Sequence, residues 1–248
     1  MSDIYHYKDN KWNIYITRTL KSTMKEIKKE LYNSKKNSLL MAYLQTNGIG
    51  RNQNKWISDL GNLFLSIKLN TYEKARVSII SYFTSIIIYE TINFFLNKTK
   101  NIIIKWPNDI LIDNKKVAGI LVDIISKGNK VTDIYLGVGI NLKKAPQVLG
   151  YETTCIYDEV MEKVSRKVFL NKLTLNFNYW ESKLKDNNNS FIIRNWVERS
   201  WPINTKISFK VSKNSTITGI YQGINEDGSI KVLLNDGIKN FFNIEVIK

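Results

Sequence analysis

No part of the sequence says more about the fold than Lys105-Trp106-Pro107-Asn108-Asp109, which follows three isoleucines at 102–104. Consecutive β-branched residues favour a buried strand. A lysine at the end of such a strand is partly removed from water, so its charge is unfavourable unless an anion or a carboxylate meets it. There Lys105 could neutralise charge that develops on a phosphate or a carboxylate. Residues 106–109 are also compatible with a simple tight turn.

On either side of this stretch the sequence predicts a mixture of strands and helices. Strands are predicted at residues 12–17, 38–45, 62–69, 102–105, 117–125 and 131–140, with a hairpin-like insert at 110–115. Helices are predicted at 77–96, 159–185 and 196–202, and Thr23-Met24-Lys25-Glu26 has the form of a capping box that opens a short helix. After the polar run 186–190, strands at 206–211, 216–224, 229–233 and 241–247 predict an appended small β-barrel.

The composition excludes several classes of protein. A single cysteine, Cys155, excludes an internal disulfide framework and a multi-cysteine zinc site. A single histidine, His6, excludes a His-rich metal centre and argues against a Ser-His-Asp hydrolase. The N-terminus lacks an apolar signal segment, and the most apolar stretch, residues 77–96, is interrupted by polar side chains. We therefore expect a soluble, cytoplasmic protein with no membrane span.

The net charge leaves a question open. The chain carries 37 Lys+Arg against 22 Asp+Glu, which gives a formal net charge of +15. Such a charge is typical of nucleic-acid-binding proteins, because Lys and Arg replace the counterions along the phosphates. Here, however, the basic residues are scattered, and the longest runs are pairs such as Lys28-Lys29. The pattern therefore also fits a basic, solvated surface without a dedicated nucleic-acid site.

Two glycine-containing segments have no evident role in core packing. In residues 45–56, Gly48 and Gly50 would let backbone N–H groups approach a ligand, while Arg51 and Lys55 could hold phosphate or carboxylate oxygens. This segment matches neither a dinucleotide fingerprint nor a P-loop, and it could be a solvated turn. In Gly137-Val138-Gly139-Ile140-Asn141, glycines inside a strand indicate close approach of a ligand or another backbone, or tight sheet packing.

Taken together, these motifs resemble the biotin–protein ligases. The similarity rests on Gly-x-Gly-Arg followed by Lys-Trp at residues 48–56, on Lys105-Trp106-Pro107-Asn108-Asp109, on residues 117–122 and on residues 137–141. It implies an α+β fold with a mixed β-sheet flanked by helices, related to the class II aminoacyl-tRNA synthetase core, in residues 1–202. Residues 203–248 would form a small SH3-like β-barrel. The family-like Ser22-Thr23 pair leaves no room ahead of it for a winged helix, which implies a stand-alone ligase without the repressor domain.

The resemblance also implies a two-step reaction. The biotin carboxylate attacks the α-phosphate of ATP, giving biotinyl-5′-AMP and pyrophosphate, with Mg²⁺ accompanying the triphosphate. The ε-amine of a lysine on a biotin carboxyl carrier protein, the acetyl-CoA carboxylase subunit, then attacks this anhydride and AMP leaves. Both steps require orientation and neutralisation of negative charge. No residues are assigned as metal ligands, and the protein would be a monomer or a homodimer.

The family pattern carries over to individual residues. Ser22, Thr23 and Gln45 would contact the ureido end of biotin, although the first two could instead be helix caps. Backbone groups of Ile49 and Gly50 would lie near the biotin carboxylate. The catalytic residues would be Arg51, beside the carboxylate, and Lys105, bridging the carboxylate and the α-phosphate. The weaker candidates for the nucleotide side are Trp56, Asn108 and Asn141.

The sequence also departs from the family pattern. The family loop approximates Gly-Arg-Gly-Arg-x-Gly-Arg, whereas Ile49 replaces its first Arg, Gln53 its later Gly and Asn54 its last Arg. Met24 stands where Asn is common after Ser-Thr. We expect a working ligase that binds the adenylate less tightly. The alternatives are a lipoate–protein ligase of the same fold, or a non-catalytic protein that binds biotin or nucleic acid.

Overall fold

The computed structural model describes residues 4–8, 11–69, 78–96, 98–127, 130–148, 150–212, 215–242 and 244–247. Its strands are β1 (Ile4–Lys8), β2 (Trp12–Leu20), β3 (Asn37–Gln45), β4 (Leu63–Leu69), β5 (Ile102–Lys105), β6 (Asp109–Ile112), β7 (Lys115–Lys127), β8 (Lys130–Ile140), β9 (Lys206–Ser212), β10 (Ser215–Ile224), β11 (Ile230–Leu234), β12 (Gly237–Phe241) and β13 (Glu245–Val246). Its helices are α1 (Thr23–Glu26), α2 (Ile80–Asn93), α3 (Ile156–Glu159), α4 (Arg166–Asp186) and α5 (Asn189–Val197).

Strands β1 to β8 form one sheet in the order β1-β2-β3-β4-β8-β7-β6-β5. β2 and β3 run parallel, and the other neighbouring pairs of described strands are antiparallel. The predicted mixed sheet is therefore confirmed. β4 and β8 lie at its centre, so the two halves of the sheet are joined through residues that are far apart in the sequence.

The helices cover the two faces of this sheet unequally. Along β3, Leu39 and Met41 belong to the main core, whereas Leu40 belongs to a smaller cluster, as the alternation of side chains along a strand requires. The main core includes the buried side chains of α2, α4 and α5. The smaller cluster collects around α1: Tyr15, Met24, Ile27, Tyr32, Leu40 and Tyr135. One face of the sheet is thus covered by the large core that includes α2, α4 and α5, and the other by the small cluster around α1.

The C-terminal strands form a second, antiparallel sheet in the order β12-β11-β10-β9-β13. In the described part of the chain its pairing does not close into a ring, so the predicted barrel is observed as an open five-stranded sheet. Polar contacts join this C-terminal unit to the rest. Trp106 Nε1 donates to the Gly228 carbonyl at 3.2 Å, Asn189 Nδ2 donates to Glu226 Oε2 at 3.4 Å, and the Ser200 and Tyr221 hydroxyls lie 2.9 Å apart. A division of the chain into units 1–202 and 203–248 stays a prediction.

Several predicted boundaries were wrong. The helix predicted at 159–185 begins only at Arg166, because Ser165 caps it by accepting a hydrogen bond from Val168 N at 3.2 Å. The helix predicted at 196–202 is α5, which starts earlier, after the Asn188 cap, and ends at Val197. The strand predicted at 241–247 is β13 alone, and β12 precedes it. β1 was not predicted. The start of the helix predicted at 77–96 lies partly outside the described residues, and α2 begins at Ile80.

The capping box was also wrong. Ser22 is the residue before α1, and neither Ser22 nor Thr23 caps the helix through its side chain. Instead the Thr23 hydroxyl points to Gln45, so the rival interpretation of this pair as helix caps is not supported. None of the described helices is long and apolar enough to cross a membrane.

Candidate active site

A cavity of about 1100 Å³ is bounded by both sheets. Its walls come from the start of α1, the loop of residues 45–56, the turn at 105–109, the inner parts of β7 and β8, and the β9–β13 edge of the C-terminal sheet. Nine of the predicted site residues line it: Ser22, Thr23, Gln45, Ile49, Gly50, Arg51, Trp56, Lys105 and Asn108. Residues that are far apart in the sequence are therefore brought to one place.

One part of the cavity wall carries uncharged polar side chains, which we call the polar end (Ser22, Thr23 and Gln45). Ser58 and Ser66 do not line the cavity but hydrogen-bond to the polar end from behind. Gln45 Oε1 accepts hydrogen bonds from Thr23 N at 2.7 Å and from Thr23 Oγ1 at 3.0 Å. Gln45 Nε2 donates to Ser58 Oγ at 3.1 Å, and Ser66 Oγ donates to Thr23 Oγ1 at 2.9 Å. Ser22 Oγ is buried and has no hydrogen-bond partner in the described chain.

The loop of residues 48–56 folds back on itself as a narrow hairpin. Gly50 N donates to the Asn54 carbonyl at 2.7 Å, and Trp56 N donates to the Gly48 carbonyl at 3.0 Å. Gly48 is required by crowding, because a Cβ there would lie 2.5 Å from Ser58 Oγ and 2.6 Å from the Trp56 carbonyl oxygen. Arg51 stands at the tip of this hairpin and also faces the cavity.

Trp56 explains the glycines of β7 and β8. A Cβ on Gly139 would lie 2.3 Å from Trp56 Cε2, and a Cβ on Gly119 would lie 2.7 Å from Trp56 Cζ3. A Cβ on Gly137 would lie 2.7 Å from Met24 Cγ. These glycines therefore accommodate side chains of the same chain, whereas the sequence pattern indicated a ligand, another backbone or tight sheet packing. Trp56 Nε1 is buried without a hydrogen-bond partner among the described residues.

Of the positive side chains that line the cavity, Arg51, Lys105 and Lys116 lie around the Asp109 carboxylate and form the cationic part of the wall. Lys116 Nζ forms an ion pair with Asp109 Oδ1 at 2.8 Å and lies 5.2 Å from the ring centre of Trp56 and 5.3 Å from that of Tyr151. Arg51 donates to Asn108 Oδ1 at 3.4 Å. The Lys105 side chain forms no hydrogen bond or ion pair with the described residues, although its backbone pairs with Asp109 in the sheet.

Burial changes the ionisation of two of these cations. It lowers the pKa of Lys105 below its ordinary value, and the nearby Asp109 carboxylate opposes this effect, whereas Lys116 adds to it. Burial also lowers the pKa of the Arg51 guanidinium, again opposed by Asp109. Both charges are therefore incompletely compensated by the protein, which is the state expected of groups that receive an anion.

The two predicted asparagines differ in position. Asn108 lies at the cavity wall, where its Nδ2 donates to the Ile120 carbonyl at 2.5 Å. Asn141 does not line the cavity, because its buried amide donates to the backbone carbonyls of Lys116 at 3.3 Å and Thr154 at 3.0 Å. Asn141 thus stabilises the start of β7 from behind, and a direct contact with a nucleotide stays a prediction.

Sequence reasoning missed three residues of the site: Lys116, which lines the cavity, and Ser58 and Ser66, which hydrogen-bond to residues that line it. Lys116 resembles Lys105 in flanking an apolar run, but it is the second residue of β7 and precedes that run, so in the sequence it looks like an ordinary surface residue of a hairpin. Ser58 and Ser66 carry no local signal, because a serine after a loop or within a strand is common. Ser66 meets Thr23 only in the folded chain, where Ser66 on β4 donates to the Thr23 hydroxyl of α1.

The comparisons with known proteins agree with this geometry. Residues 15–141 match the model of the biotin/lipoate A/B protein ligase family, which is more than half of the chain. The chain belongs to this family. The match contains the whole polar end and all three cations, so both parts of the wall lie within the segment that defines the biotin/lipoate A/B protein ligases.

Individual relatives within the family are distant. The chain is 26% identical over 199 residues to the biotin–[acetyl-CoA-carboxylase] ligase of Paracoccus denitrificans, covering 77% of this chain and 82% of that protein. It is 26% identical to the bifunctional ligase/repressor BirA of Bacillus subtilis, covering 86% of this chain and 67% of that protein. The solved biotin protein ligase from Aquifex aeolicus in complex with biotin and ATP superimposes with a TM-score of 0.77 at 24% identity, covering 94% of this chain and 97% of that one. This last likeness supports the fold.

Proposed function

We propose that this protein is an ATP-dependent biotin–protein ligase, which forms biotinyl-5′-AMP and transfers the biotinyl group to a lysine of a biotin carboxyl carrier protein. Family membership alone allows either biotin or lipoate as substrate. The names of the relatives, biotin–[acetyl-CoA-carboxylase] ligase among them, favour biotin. The observation that carries the choice is the unused hydrogen-bonding capacity of the polar end.

That capacity can be counted atom by atom. Gln45 Nε2 has two N–H groups and donates one to Ser58, so the other has no acceptor in the part of the chain that the structure describes. Thr23 Oγ1 donates to Gln45 and accepts from Ser66, which leaves one lone pair. Ser22 Oγ has both its proton and its lone pairs unused among the described residues. The wall therefore offers donors and acceptors side by side.

A cyclic urea matches this wall, because its carbonyl accepts hydrogen bonds and its two N–H groups donate them. The dithiolane ring of lipoate has no N–H or C=O group and would leave these buried polar atoms unsatisfied, at about 1–3 kcal/mol each. A site built from polar groups discriminates strongly against an analogue that cannot pair with them. The polar end thus supports biotin over lipoate.

The cationic side suits the other end of the substrate. The carboxylate of biotin and the α-phosphate of ATP are brought together in the first step, and their repulsion must be neutralised. In this proposal Arg51 and backbone groups of Ile49 and Gly50 hold the carboxylate, while Lys105 bridges the carboxylate and the phosphate. Lys116, positioned by Asp109, adds a second lysine at the same wall.

The nucleotide would lie toward Trp56 and Asn108, with Asn141 supporting the strand behind them. Magnesium would enter with the triphosphate as part of the substrate. No group of three or more His, Cys, Asp or Glu side chains able to hold a metal ion occurs within the described residues. After adenylation the acceptor lysine attacks the mixed anhydride, and AMP carries away the phosphate charge that the cations had neutralised.

The test is an assay of transfer to a carrier domain, in which the mass of the carrier is measured by mass spectrometry. The protein is incubated with Mg²⁺, ATP, biotin and a biotin carboxyl carrier domain, and in parallel with lipoate in place of biotin. We expect the carrier to gain one biotinyl group and no lipoyl group. Lys105→Ala and Lys116→Ala should each lower the transfer rate by about 10²-fold or more, because transition-state charge loses a partner.

The control for these two variants is Lys239→Ala. Lys239 pairs with Asp236 on the C-terminal sheet and does not line the cavity, so this variant should transfer biotin at the normal rate. Lipoyl transfer would establish the lipoate alternative, and biotin binding without release of pyrophosphate would establish a non-catalytic binding protein. Full activity of Lys105→Ala would refute the role assigned to that lysine.

A further inference from the structure

Met24 lines the cavity, but the reaction as proposed above gives it no role. It directly follows Thr23 of the polar end, and 7% of its surface is exposed. Its side chain lies over Gly137, where an added Cβ would be 2.7 Å from Met24 Cγ and 2.8 Å from Met24 Sδ. The glycine therefore leaves room on β8 for one flexible, apolar side chain that borders the candidate site.

Met24 and Trp56 cover neighbouring positions on the same face of β8. Gly137 and Gly139 are two residues apart in this strand, so side chains at these positions would point to the same side of the sheet. Met24 takes the space over Gly137, and Trp56 takes the space over Gly139. Met24 adjoins the polar end, whereas the centre of the Trp56 ring lies 5.2 Å from Lys116 Nζ. The order along the cavity wall is therefore the polar end, Met24, Trp56 and the cationic part.

The chemical groups of biotin follow the same order. Its cyclic urea is fused to a ring that contains a sulfur atom, and this second ring carries a chain of methylene groups that ends in the carboxylate. With the urea at the polar end and the carboxylate at the cations, the sulfur-containing ring would lie against Met24 and the methylene chain against Trp56. The thioether of Met24 suits such a contact, because it is unbranched and polarizable and fits an irregular apolar surface.

We propose that Met24 is a specificity-determining residue, whose side chain forms the surface that the sulfur-containing ring of biotin contacts. The inference rests on the proposed function, since it takes the polar end as the site of the cyclic urea. The polar end recognises the urea by hydrogen bonds, and these do not depend on the second ring. Met24 recognises the second ring by apolar contact. Two adjacent parts of the wall thus select for two different parts of one substrate.

The probe for this role is desthiobiotin, which keeps the cyclic urea and the carboxylate but lacks the sulfur atom that closes the second ring. We expect the unaltered protein to bind biotin about tenfold more tightly than desthiobiotin, which is the usual effect of one small group in an apolar pocket. Met24→Ala should weaken biotin binding by about fivefold and change desthiobiotin binding little, so that the preference falls to about twofold. Calorimetric titration of each ligand without ATP measures the two dissociation constants.

Two further variants separate this contact from a general loss of packing. Met24→Leu retains an apolar side chain of similar volume and should keep most of the preference for biotin. Met41→Ala is the matched control, because Met41 is also a buried methionine but belongs to the main core and does not line the cavity. Met41→Ala should lower thermal stability and leave the preference unchanged.

Gly137→Ala tests the same contact from the strand below. Its Cβ would displace Met24, which is packed against the smaller core cluster on one side and faces the cavity on the other. Met24 would therefore move into the cavity, and biotin binding should weaken by about tenfold. In Gly137→Ala/Met24→Ala this obstruction is gone, so the double variant should bind biotin no more weakly than Met24→Ala alone.

The outcomes separate the two proposals. An unchanged preference in a folded Met24→Ala protein would overturn the role of Met24 while leaving the ligase assignment intact. An equal loss of preference in Met41→Ala would also overturn it, because the effect would then come from the core as a whole. Equal binding of biotin and desthiobiotin by the unaltered protein would have the same consequence. Failure of the unaltered protein to bind either ligand would refute the proposed function, and the role of Met24 with it.

Discussion

Lys105 and Lys116 lie in the same wall but differ in how the protein compensates their charge. Lys116 has an acidic partner at 2.8 Å, so its removal would leave Asp109 without its counter-ion. Lys105 has no partner among the described residues, and burial lowers its pKa. A charge held in this way destabilises the folded state and is retained where function requires it.

Replacing Lys105 should therefore stabilise the protein and inactivate it. We expect Lys105→Met to raise the free energy of unfolding at pH 7 by about 0.5–2 kcal/mol. Lys116→Met should instead lower it by about 1–2 kcal/mol, because Asp109 is left unpaired in a half-buried position. Urea unfolding of the three proteins, with transfer assays in parallel, measures both effects. Lower stability of Lys105→Met than of the unaltered protein would contradict this argument.

The same comparison has a defined dependence on pH. The pKa of Lys105 is lowered in the folded state, so between the folded and the unfolded pKa the unfolded chain binds more protons. As pH rises from the folded to the unfolded pKa of Lys105, the free energy of unfolding of the unaltered protein should therefore rise relative to that of Lys105→Met. The difference in the free energy of unfolding between the two proteins should become smaller.

Among the elements, β7 and β8 are shaped around one indole ring. Gly139 and Gly119 lie opposite each other in the register of these strands, and Trp56 fills the space that two side chains would otherwise take. Glycine weakens a strand, but here it permits the loop of residues 48–56 to pack onto the sheet. The loop is thus positioned by the absence of side chains on the strands below it.

Gly139→Ala should displace Trp56, because an added Cβ would lie 2.3–2.5 Å from three atoms of its rigid indole. We expect a loss of about 1–3 kcal/mol in stability, as for other overpacked sites, and weaker nucleotide binding. Intrinsic fluorescence, thermal unfolding and nucleotide titration report these effects. In the double variant Gly139→Ala/Trp56→Val the stability should return, whereas nucleotide affinity should not. Normal stability of Gly139→Ala alone would show that the ring can move freely.

The elements also show how far sequence reasoning extends. Long apolar or alternating runs identified β2, β3, β4, β7 and β8, because burial of a strand in a sheet leaves a hydrophobic pattern that is visible in the sequence. β1 and β12 are short, partly exposed edge strands and carry little of that pattern. The predicted start of helix α4 was too early. The residues before Ser165 continue the apolar pattern of the helix, but the helix itself begins after Ser165, which is its N-cap.

The candidate site was predictable to the extent that its residues lie in compact motifs. Lys105 and Arg51 are marked by their neighbours, whereas Ser58 acquires its role only through Gln45, which approaches it in space. Asn141 shows the converse. Its position at the end of a glycine-containing strand suggested a ligand contact, but its amide is used by the backbone of β7 and of the segment around Thr154.

At the scale of the whole molecule, the net charge of +15 contrasts with the few cations that face the cavity. Most of the lysines are on the surface, where individual ion pairs contribute little to stability. Their collective field acts on approaching molecules and would attract an acidic carrier domain.

The biotin transfer rate at limiting carrier concentration should therefore fall as salt is raised, by about tenfold between 0.02 M and 0.5 M NaCl, because the field is screened within about 10 Å. Steady-state kinetics with an acidic carrier domain measure this dependence. A carrier whose surface acids are changed to amides should show a much shallower slope. A rate that does not vary with salt for either carrier would argue that the surface charge has no role in docking.

The central position of β4 and β8 ties the existence of the site to the folding of the chain. The polar end belongs to the half of the sheet around β3 and β4, and the two lysines belong to the half around β5, β6 and β7. Within the sheet these halves are joined by the pairing of Leu63–Leu69 with β8, which closes a long excursion of the chain. In a nascent chain that has not yet formed β8, the two parts of the site are not yet next to each other, so the two substrates cannot be bound in position to react. Separation of this pair of strands would likewise move the polar end away from the two lysines, so the geometry of the site depends on a junction that lies outside the site itself.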